Sequence, residues 1–229
     1  MLMTAQLQEV LKFRYKTKDK LKERYSLLDL GPVNWLLGIK ITRDFEARMI
    51  LLLQLLYINS ILTCFKFTDL KPFAMLMDPS IHFSKDQCPQ TPEEVADMCK
   101  IPYHEAIGSL NYCAVATCPD ITFPVSLLAQ FMENPGCVHC DAVKQIFQYL
   151  LGTKDWKLMY GMTDNGLEGY ADADGSSQEH RHTISGYVFL MNGGAISWSS
   201  KKQGLATLST AESEYVTAMY AAKEALWLH

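Results

Sequence analysis

The spacing of apolar positions predicts a β-hairpin followed by a helix in the first third of the chain. Apolar runs at residues 35–41 and 49–53 flank the polar segment 42–48, which is typical of two strands joined by a turn. Residues 57–65 then have the length and apolar content of a buried helix. We therefore expect mixed α and β structure already in this part of the chain.

Helical patterns dominate the middle of the chain. Prolines interrupt residues 66–102, which predicts a connector without regular structure. Residues 103–117 predict one helix, and Pro119 opens a second that runs to residue 132. Apolar positions between residues 142 and 150 recur at spacings of three and four, which predicts an amphipathic helix closed by Gly152.

The apolar period changes to two near the C-terminal end. Residues 167–174, 184–191 and 195–200 predict three strands, and Asn192-Gly193-Gly194 supplies the positive-φ residues of a tight hairpin. Ser209 and Glu212 form the sequence signature of a capping box, so residues 209–228 predict a helix. The fold class is α+β, ending in a three-stranded antiparallel sheet with one helix.

The charge is distributed unevenly along the 229 residues. The net charge is -4, but residues 1–48 hold ten Lys or Arg against six Asp or Glu. Residues 1–28 predict a charged helix that ends near Gly31 and Pro32. The lysines at alternating positions of this helix could neutralise phosphates, although a solvated helix face explains them equally well. They are Lys16, Lys18, Lys20 and Lys22.

Cysteine usage and apolar runs exclude two other classes of protein. The seven cysteines are irregularly spaced and no signal peptide precedes them, which favours an intracellular protein, cytoplasmic or nuclear, over a secreted disulfide framework. Cys137-Val-His-Cys140 lacks the second ligand pair of a structural zinc site. Residues 49–65 are too short and too often polar for a membrane span.

Asp172 and Asp174 are the first candidates for chemistry. They lie two apart on a predicted strand, so their carboxylates should share a face. Glu214 follows in the predicted helix, and a helix packed across that sheet could bring it near the two aspartates. Carboxylates from separate elements are what Mg²⁺ prefers, and two such ions can promote phosphodiester hydrolysis. A solvated strand explains the two aspartates as well.

A series of motifs resembles the Ty1/copia-type retrotransposon Pol polyproteins. In the last third of the chain, the order and spacing of the motifs are similar to the family's ribonuclease H region. Upstream, the motifs are similar to the family's segment between the polymerase palm and the ribonuclease. The downstream motifs are Gly169-Tyr-Ala-Asp172-Ala-Asp174, Thr183-Ile-Ser-Gly186-Tyr-Val-Phe189, Gly193-Gly194-Ala-Ile-Ser197-Trp198, Ser200-Lys-Lys-Gln203 and Leu208-Ser-Thr-Ala-Glu212-Ser-Glu214-Tyr215. Upstream stand Asp29-Leu-Gly31, Leu37-Gly38-Ile39, Gln54, Tyr57-Ile58, Ile101-Pro-Tyr103, Glu105-Ala-Ile-Gly108-Ser-Leu110, Pro119-Asp-Ile121, Tyr149-Leu150 and Gly152-Thr153.

The resemblance implies roles for particular residues. Asp172 matches the first metal-binding aspartate and Glu214 the metal-binding glutamate of a two-metal Mg²⁺ site, with Asp174 a weaker candidate. Lys201 and Lys202 would contact a nucleic-acid backbone, for which RNA–DNA hybrid is the partner that the family implies. Solvated lysines at a strand end are the alternative.

The resemblance also divides the chain into three parts. Residues 1–100 would be the C-terminal reverse-transcriptase region, palm end and thumb-like, with a proline-rich connector. Residues 101–160 would be a helical connection region, and residues 161–229 a truncated ribonuclease H-like domain. A partner chain could then cover the uncompleted sheet.

Catalytic residues that the family uses are missing from these 229 residues. The polymerase motif Tyr-x-Asp-Asp does not occur, and only two of the ribonuclease's four acidic positions are present. We therefore expect no tight Mg²⁺ binding and no activity from the chain by itself. Two alternatives are a non-catalytic nucleic-acid-binding module and half of a ribonuclease H site that another chain completes.

Overall fold

The computed structural model describes residues 16–28, 31–161, 163, 165–174, 183–204 and 209–229. Two compact units are present, Met1–Val33 and Asn34–His229. In the first unit, residues 16–24 are helical (α1), which confirms the charged helix over these residues. Its predicted N-terminal part, residues 1–15, lies outside the described residues. The three-part division at residues 100 and 160 stays a prediction.

The second unit begins with a four-stranded antiparallel sheet. Its strands are β1 (Trp35–Leu36), β2 (Ile39–Asp44), β3 (Met49–Leu53) and β4 (Leu158–Tyr160), in the order β1-β2-β3-β4. The β2–β3 hairpin confirms the predicted one. The prediction of one strand over residues 35–41 was wrong, because Leu37 and Gly38 turn the chain back with φ of 50° and 79°, the positive values of a tight hairpin.

Helices fill the space between the first sheet and the C-terminal part. They are α2 (Leu55–Cys64), α3 (Pro92–Met98), α4 (Tyr103–Ala116), α5 (Thr122–Ala129) and α6 (Cys137–Thr153), with 3₁₀ helices at Lys85–Gln87 and Pro119–Ile121. The core lies among α2, α4, α5 and α6. Its side chains with at most 1% exposure include Leu62, Leu110, Ile121, Val125, Leu128, Ile146 and Phe147.

Helix α3 lies within residues 66–102, for which the sequence predicted a connector without regular structure. That prediction was wrong for Pro92–Met98. The Thr91 side chain accepts a hydrogen bond from the Glu94 backbone N–H, and Pro92 occupies the first turn. The Glu94 carboxylate in turn accepts from the Thr91 N–H at 3.1 Å. This is a capping box with a favourable N-terminal proline, so the signal for a helix was present in the sequence.

The C-terminal part contains the predicted three strands and helix. Strands β5 (Glu168–Asp174), β6 (Ile184–Met191) and β7 (Gly194–Lys202) form an antiparallel sheet in the order β5-β6-β7, followed by α7 (Thr210–Leu228). Asn192 and Gly193 have φ of 51° and 81°, which confirms the tight hairpin. The Ser209 side chain accepts from the Glu212 N–H at 3.2 Å, the N-cap half of the predicted box. The protein is therefore α+β.

Hydrogen bonds and a close backbone approach hold the β6–β7 hairpin against β4 and the residue that follows it. The Tyr160 hydroxyl donates to the Ala195 carbonyl at 2.7 Å, and the Gly161 N–H donates to the Asn192 carbonyl at 2.9 Å. A Cβ on Gly194 would lie 2.4 Å from the Met159 carbonyl oxygen, so only glycine permits this approach. Among the described helices, none is long and apolar enough for a membrane span.

Candidate functional site

The register of β5, β6 and β7 decides which way the candidate aspartates face. Asp172 pairs with Gly186, and Gly186 pairs with Ser200, so these three residues share one face. Ser185 points to the other face, where its Oγ lies 2.7 Å from Thr217 Oγ1 of α7. Asp172 and Asp174 consequently lie on the face opposite to α7.

A cavity of about 500 Å³ opens on the aspartate face, between the sheet and the segment that leads into α5. Asp172 is exposed, and its Oδ1 accepts from the Ala173 N–H at 2.9 Å. Thr122 Oγ1 and Ser200 Oγ are buried without a hydrogen-bond partner in the described protein. The lining residues are Pro119, Thr122, Phe123, Tyr170, Ala171, Asp172, Asp174, Ile184, Gly186, Tyr187, Val188, Trp198, Ser199 and Ser200.

This cavity combines carboxylates with aromatic and aliphatic walls. Such a surface favours cationic or hydrogen-bond-donating ligands and repels phosphate. The side chain of Lys202 shares the aspartate face, because Lys202 pairs with Ile184 and Ile184 pairs with Asp174. Lys201 points to the α7 face, since it pairs with Ser185. The two predicted backbone-contacting lysines therefore point to opposite faces of the sheet.

Glu214 does not join the aspartates on a common face. It is exposed on α7, whose buried side chains Ser213 and Thr217 pack toward the Ser185 face. Within the described residues, no three Asp, Glu, His or Cys side chains lie close enough together to hold a metal ion. Among the described residues, Asp172, Asp174 and Glu214 therefore do not form a three-ligand cluster of the kind that binds a divalent cation. The metal-binding roles of Asp172, Asp174 and Glu214 stay predictions.

A buried polar network joins the sheet to α7, and its central residue is Gln203. The Gln203 Nε2 lies 2.8 Å from Ser185 Oγ, 3.0 Å from the Ser213 carbonyl and 3.2 Å from Thr217 Oγ1. Gln203 is 3% exposed. The sequence marked Gln203 only as part of a motif, because its partners come from two other elements, β6 and α7. The network fixes α7 over the face that Ser185 presents.

The lysines of α1 form two groups on the helix surface. Lys16 and Lys20 are four residues apart and share a side with Arg24, while Lys18 and Lys22 share the opposite side. Lys16, Lys20 and Arg24 are all exposed. We call these three the basic stripe. Arg24 was not among the predicted residues, although its helical spacing from Lys20 was available in the sequence.

His139, in the cysteine-flanked motif, has a structural environment. Its ring stacks on Phe131 with centroids 4.0 Å apart, and its Nδ1 accepts from the Gly136 N–H at 2.9 Å. Burial lowers the pKa of His139, so the ring is held neutral. Packing explains this histidine without a metal.

Comparison with known proteins decides the family. The chain is 42% identical, over 93% of its length, to the retrovirus-related Pol polyprotein from transposon TNT 1-94 of Nicotiana tabacum. It belongs to the copia-type retrotransposon Pol polyproteins. This copia-type segment spans only 16% of the tobacco polyprotein. No family model and no solved structure matches it.

Two shorter relatives match the copia-type segment over most of their own length. It is 32% identical to a putative transposon Ty5-1 protein of Saccharomyces cerevisiae, over 89% of this chain and 65% of the yeast protein. It is 40% identical to secreted RxLR effector protein 161 of Plasmopara viticola, over 57% of this chain and 94% of that protein. Sequences similar to this segment therefore occur in proteins much shorter than the tobacco polyprotein.

Proposed function

We propose that this copia-type Pol segment binds nucleic acid inside the cell, in the cytoplasm or nucleus, and does not cleave it by itself. In this proposal it derives from the end of a reverse transcriptase and the first half of a ribonuclease H, with RNA–DNA hybrid as its preferred partner. The observation that carries the absence of cleavage is the placement of Asp172 and α7 on opposite faces of the β5-β6-β7 sheet. Two-metal hydrolysis needs carboxylates that converge on one point.

The order of elements supports a ribonuclease H-like origin. Three antiparallel strands followed by a helix that packs against them is the unit that the motif resemblance predicts for residues 161–229. The match to a transposon Pol polyprotein over nearly the whole chain supports the same origin. The fold by itself does not define an activity, so the proposal depends more on the opposite faces of the sheet on which Asp172 and α7 lie.

The basic stripe supports backbone binding. Lys16, Lys20 and Arg24 present three exposed cations along one side of α1, spaced so that each lies about one turn from the next. Cations that neutralise phosphates release counterions, so the affinity should fall steeply as salt rises. Base edges need not be read for this kind of contact.

A labelled RNA–DNA hybrid serves to test both parts of the proposed function, the binding of nucleic acid and the absence of cleavage. Fluorescence anisotropy at about 50 and 200 mM salt should show affinity that falls with salt. Denaturing gels with Mg²⁺ or Mn²⁺ should show intact RNA, equally for the wild type and Asp172→Asn. Metal-dependent cleavage that Asp172→Asn abolishes would disprove the inactive assignment, and salt-independent or absent hybrid binding would disprove the binding function.

A second candidate is half of a ribonuclease H site that another chain completes. It is favoured by β5, which is an edge strand of its sheet and carries Asp172 and Asp174. An edge strand can pair with a strand from another chain, which could bring further carboxylates. Mixing the protein with a separately produced C-terminal ribonuclease H fragment of the family should then restore Mg²⁺-dependent cleavage. Unchanged RNA in that mixture would leave the non-catalytic function as the sole proposal.

A further inference from the structure

A second cavity lies where three segments of the motif resemblance meet. Its volume is about 250 Å³, and it shares Pro119 with the lining of the cavity on the aspartate face. Gln54 lies between β3 and α2, and the Pro119–Ile121 3₁₀ helix precedes α5. Thr153 ends α6. Its lining residues are Gln54, Ile58, Thr117, Cys118, Pro119, Asp120, Leu150, Thr153, Trp156, Lys157 and Leu158. We call it the Gln54 pocket.

The Gln54 side chain leaves an unused hydrogen-bond donor in this pocket. Gln54 is 1% exposed, and its Oε1 accepts from the Thr117 hydroxyl at 2.8 Å. Its Nε2 has no partner in the described protein. A buried amide without a partner is costly, so a group with a lone pair that enters the pocket gains by accepting from it.

Asp120 provides an oriented acceptor in the same pocket. Its Oδ2 accepts from the Tyr149 hydroxyl at 2.6 Å, and its Oδ1 accepts from the Ile121 N–H at 3.0 Å. Each carboxylate oxygen retains a further lone pair for a ligand N–H. Burial raises the pKa of Tyr149, and the neighbouring Asp120 carboxylate is the second cause of the rise. The phenol therefore stays protonated and keeps donating to Asp120.

Trp156 forms an exposed aromatic platform at the pocket. Its indole is 69% exposed and packs edge-on against Tyr149, with centroids 6.4 Å apart and planes at 81°. Lys157 follows Trp156 directly and lines the pocket, while Lys154 and Asp155 precede it. An aromatic face next to lysines is the combination that binds single-stranded nucleic acid, since bases stack on the ring and phosphates contact the cations.

We propose that the Gln54 pocket receives one unpaired nucleobase of a single-stranded nucleic acid. The base stacks on Trp156, accepts from the Gln54 amide and donates to the Asp120 carboxylate, while Lys157 contacts its phosphate. The Watson–Crick edge of every base carries a donor beside an acceptor, which matches this pair of groups. The volume is below that of sites for drug-sized ligands, which agrees with a single base. The inference rests on the proposed nucleic-acid binding and extends it from backbone contacts to a base.

Two titrations of the full chain test the pocket. Each nucleoside 5′-monophosphate should quench tryptophan emission in the wild type, and this quenching should be lost in Trp156→Ala. A labelled single strand of about 12 nucleotides should bind Trp156→Ala more weakly, by roughly 5- to 150-fold, the loss that one base–aromatic stack predicts. Trp156→Phe keeps a stacking surface and should recover most of the affinity. Gln54→Met, checked for folding by circular dichroism, should also weaken single-strand binding.

Trp227→Ala is the matched control, because Trp227 is 78% exposed and lies outside the pocket. It should change single-strand affinity by less than about twofold, within the range expected of a substitution away from the site. Duplex and hybrid offer no unpaired base, so their affinity should be the same for Trp156→Ala and the wild type. Equal loss in both tryptophan variants, or no loss in either, would overturn the proposal.

The outcomes separate this inference from the proposed function. Salt-dependent hybrid binding without an effect of Trp156→Ala on single strands would refute the pocket and leave the proposed function standing. Mononucleotide quenching that depends on Trp156, without any hybrid binding, would support the pocket and refute the proposed function. Absence of both would refute both.

Discussion

At the scale of single residues, buried polar side chains connect distant segments of the fold. The sequence had marked these residues only as parts of motifs. Gln203 contacts Ser185, Ser213 and Thr217 from the interior, and Gln54 is tied to Thr117, 63 residues away. An amide nitrogen has two hydrogens, so Gln203 can satisfy at most two of its three acceptors at a time. Such networks stabilise a fold when they are complete and destabilise it when one member is removed.

Gln203→Met should therefore lower the free energy of unfolding by about 1–3 kcal/mol, because it leaves the buried Ser185 and Thr217 hydroxyls with fewer partners. Urea denaturation followed by circular dichroism measures this. Gln90→Met is the matched control, since Gln90 is exposed, and it should change stability by less than about 0.5 kcal/mol. Equal effects of the two substitutions would show that the network contributes nothing.

His139 makes stability depend on pH. Its pKa is lowered by burial, so the unfolded chain binds a proton more readily than the folded one. The stabilising effect of a neutral His139 is present above its ordinary pKa of 6.5 and is lost as pH falls below that value. Urea unfolding between pH 8 and 5 should show a smaller loss of stability for His139→Asn than for the wild type. His104→Asn, at an exposed histidine, should retain the wild-type pH dependence.

At the scale of elements, turn and cap residues set where a helix or hairpin begins and ends. In α1, the helical period decides which cations share a side. Lysines at every second position looked like one basic run, but a helix separates them into two groups. Within the described residues 16–24, the basic stripe adds Arg24 and so presents three cations on one side. The local signals at Asn192-Gly193 and Ser209 produced the predicted turn and cap because their partners are only a few residues away.

Charge removal from the two sides of α1 should have unequal effects. The triple substitution Lys16→Gln, Lys20→Gln, Arg24→Gln should reduce the slope of log affinity for hybrid against log salt by about two to three, since each phosphate contact adds roughly one. Lys18→Gln with Lys22→Gln should reduce it less. Anisotropy titrations across a salt series measure both slopes, and a larger effect of the Lys18 and Lys22 pair would contradict the assignment.

At the scale of the whole molecule, the second unit depends on the approach of β7 to β4. Trp198 Nε1 also donates to the Ala114 carbonyl at 2.8 Å, so strand β7 is tied to helix α4 as well as to β4. These contacts place the three-stranded sheet against the helices and leave the 500 Å³ cavity between them. The position of the three-stranded sheet in the second unit therefore depends on the close packing of Gly194 against Met159 and Tyr160.

Gly194→Ala should destabilise the protein by about 1–3 kcal/mol, the usual cost of overpacking, because the added methyl group meets backbone as well as the Tyr160 ring. Thermal unfolding should show a lower Tm. Gly204→Ala adds the same methyl group where no atom of the described residues lies within 4 Å, and it should leave Tm nearly unchanged. A wild-type Tm in Gly194→Ala would mean that the hairpin can move away from β4 at no cost.

The sequence by itself determined the period of most helices and strands, the tight hairpin at Asn192-Gly193, the cap at Ser209 and the family motifs, because these depend on residues close together in the chain. It also determined that Asp172 and Asp174 share a face, since side chains alternate along any strand. Only the tertiary structure decided which face α7 covers, that β4 pairs with β3, and that Gln54, Asp120 and Trp156 line one pocket. Those relations depend on packing between distant segments, which the local spacing of residues does not specify.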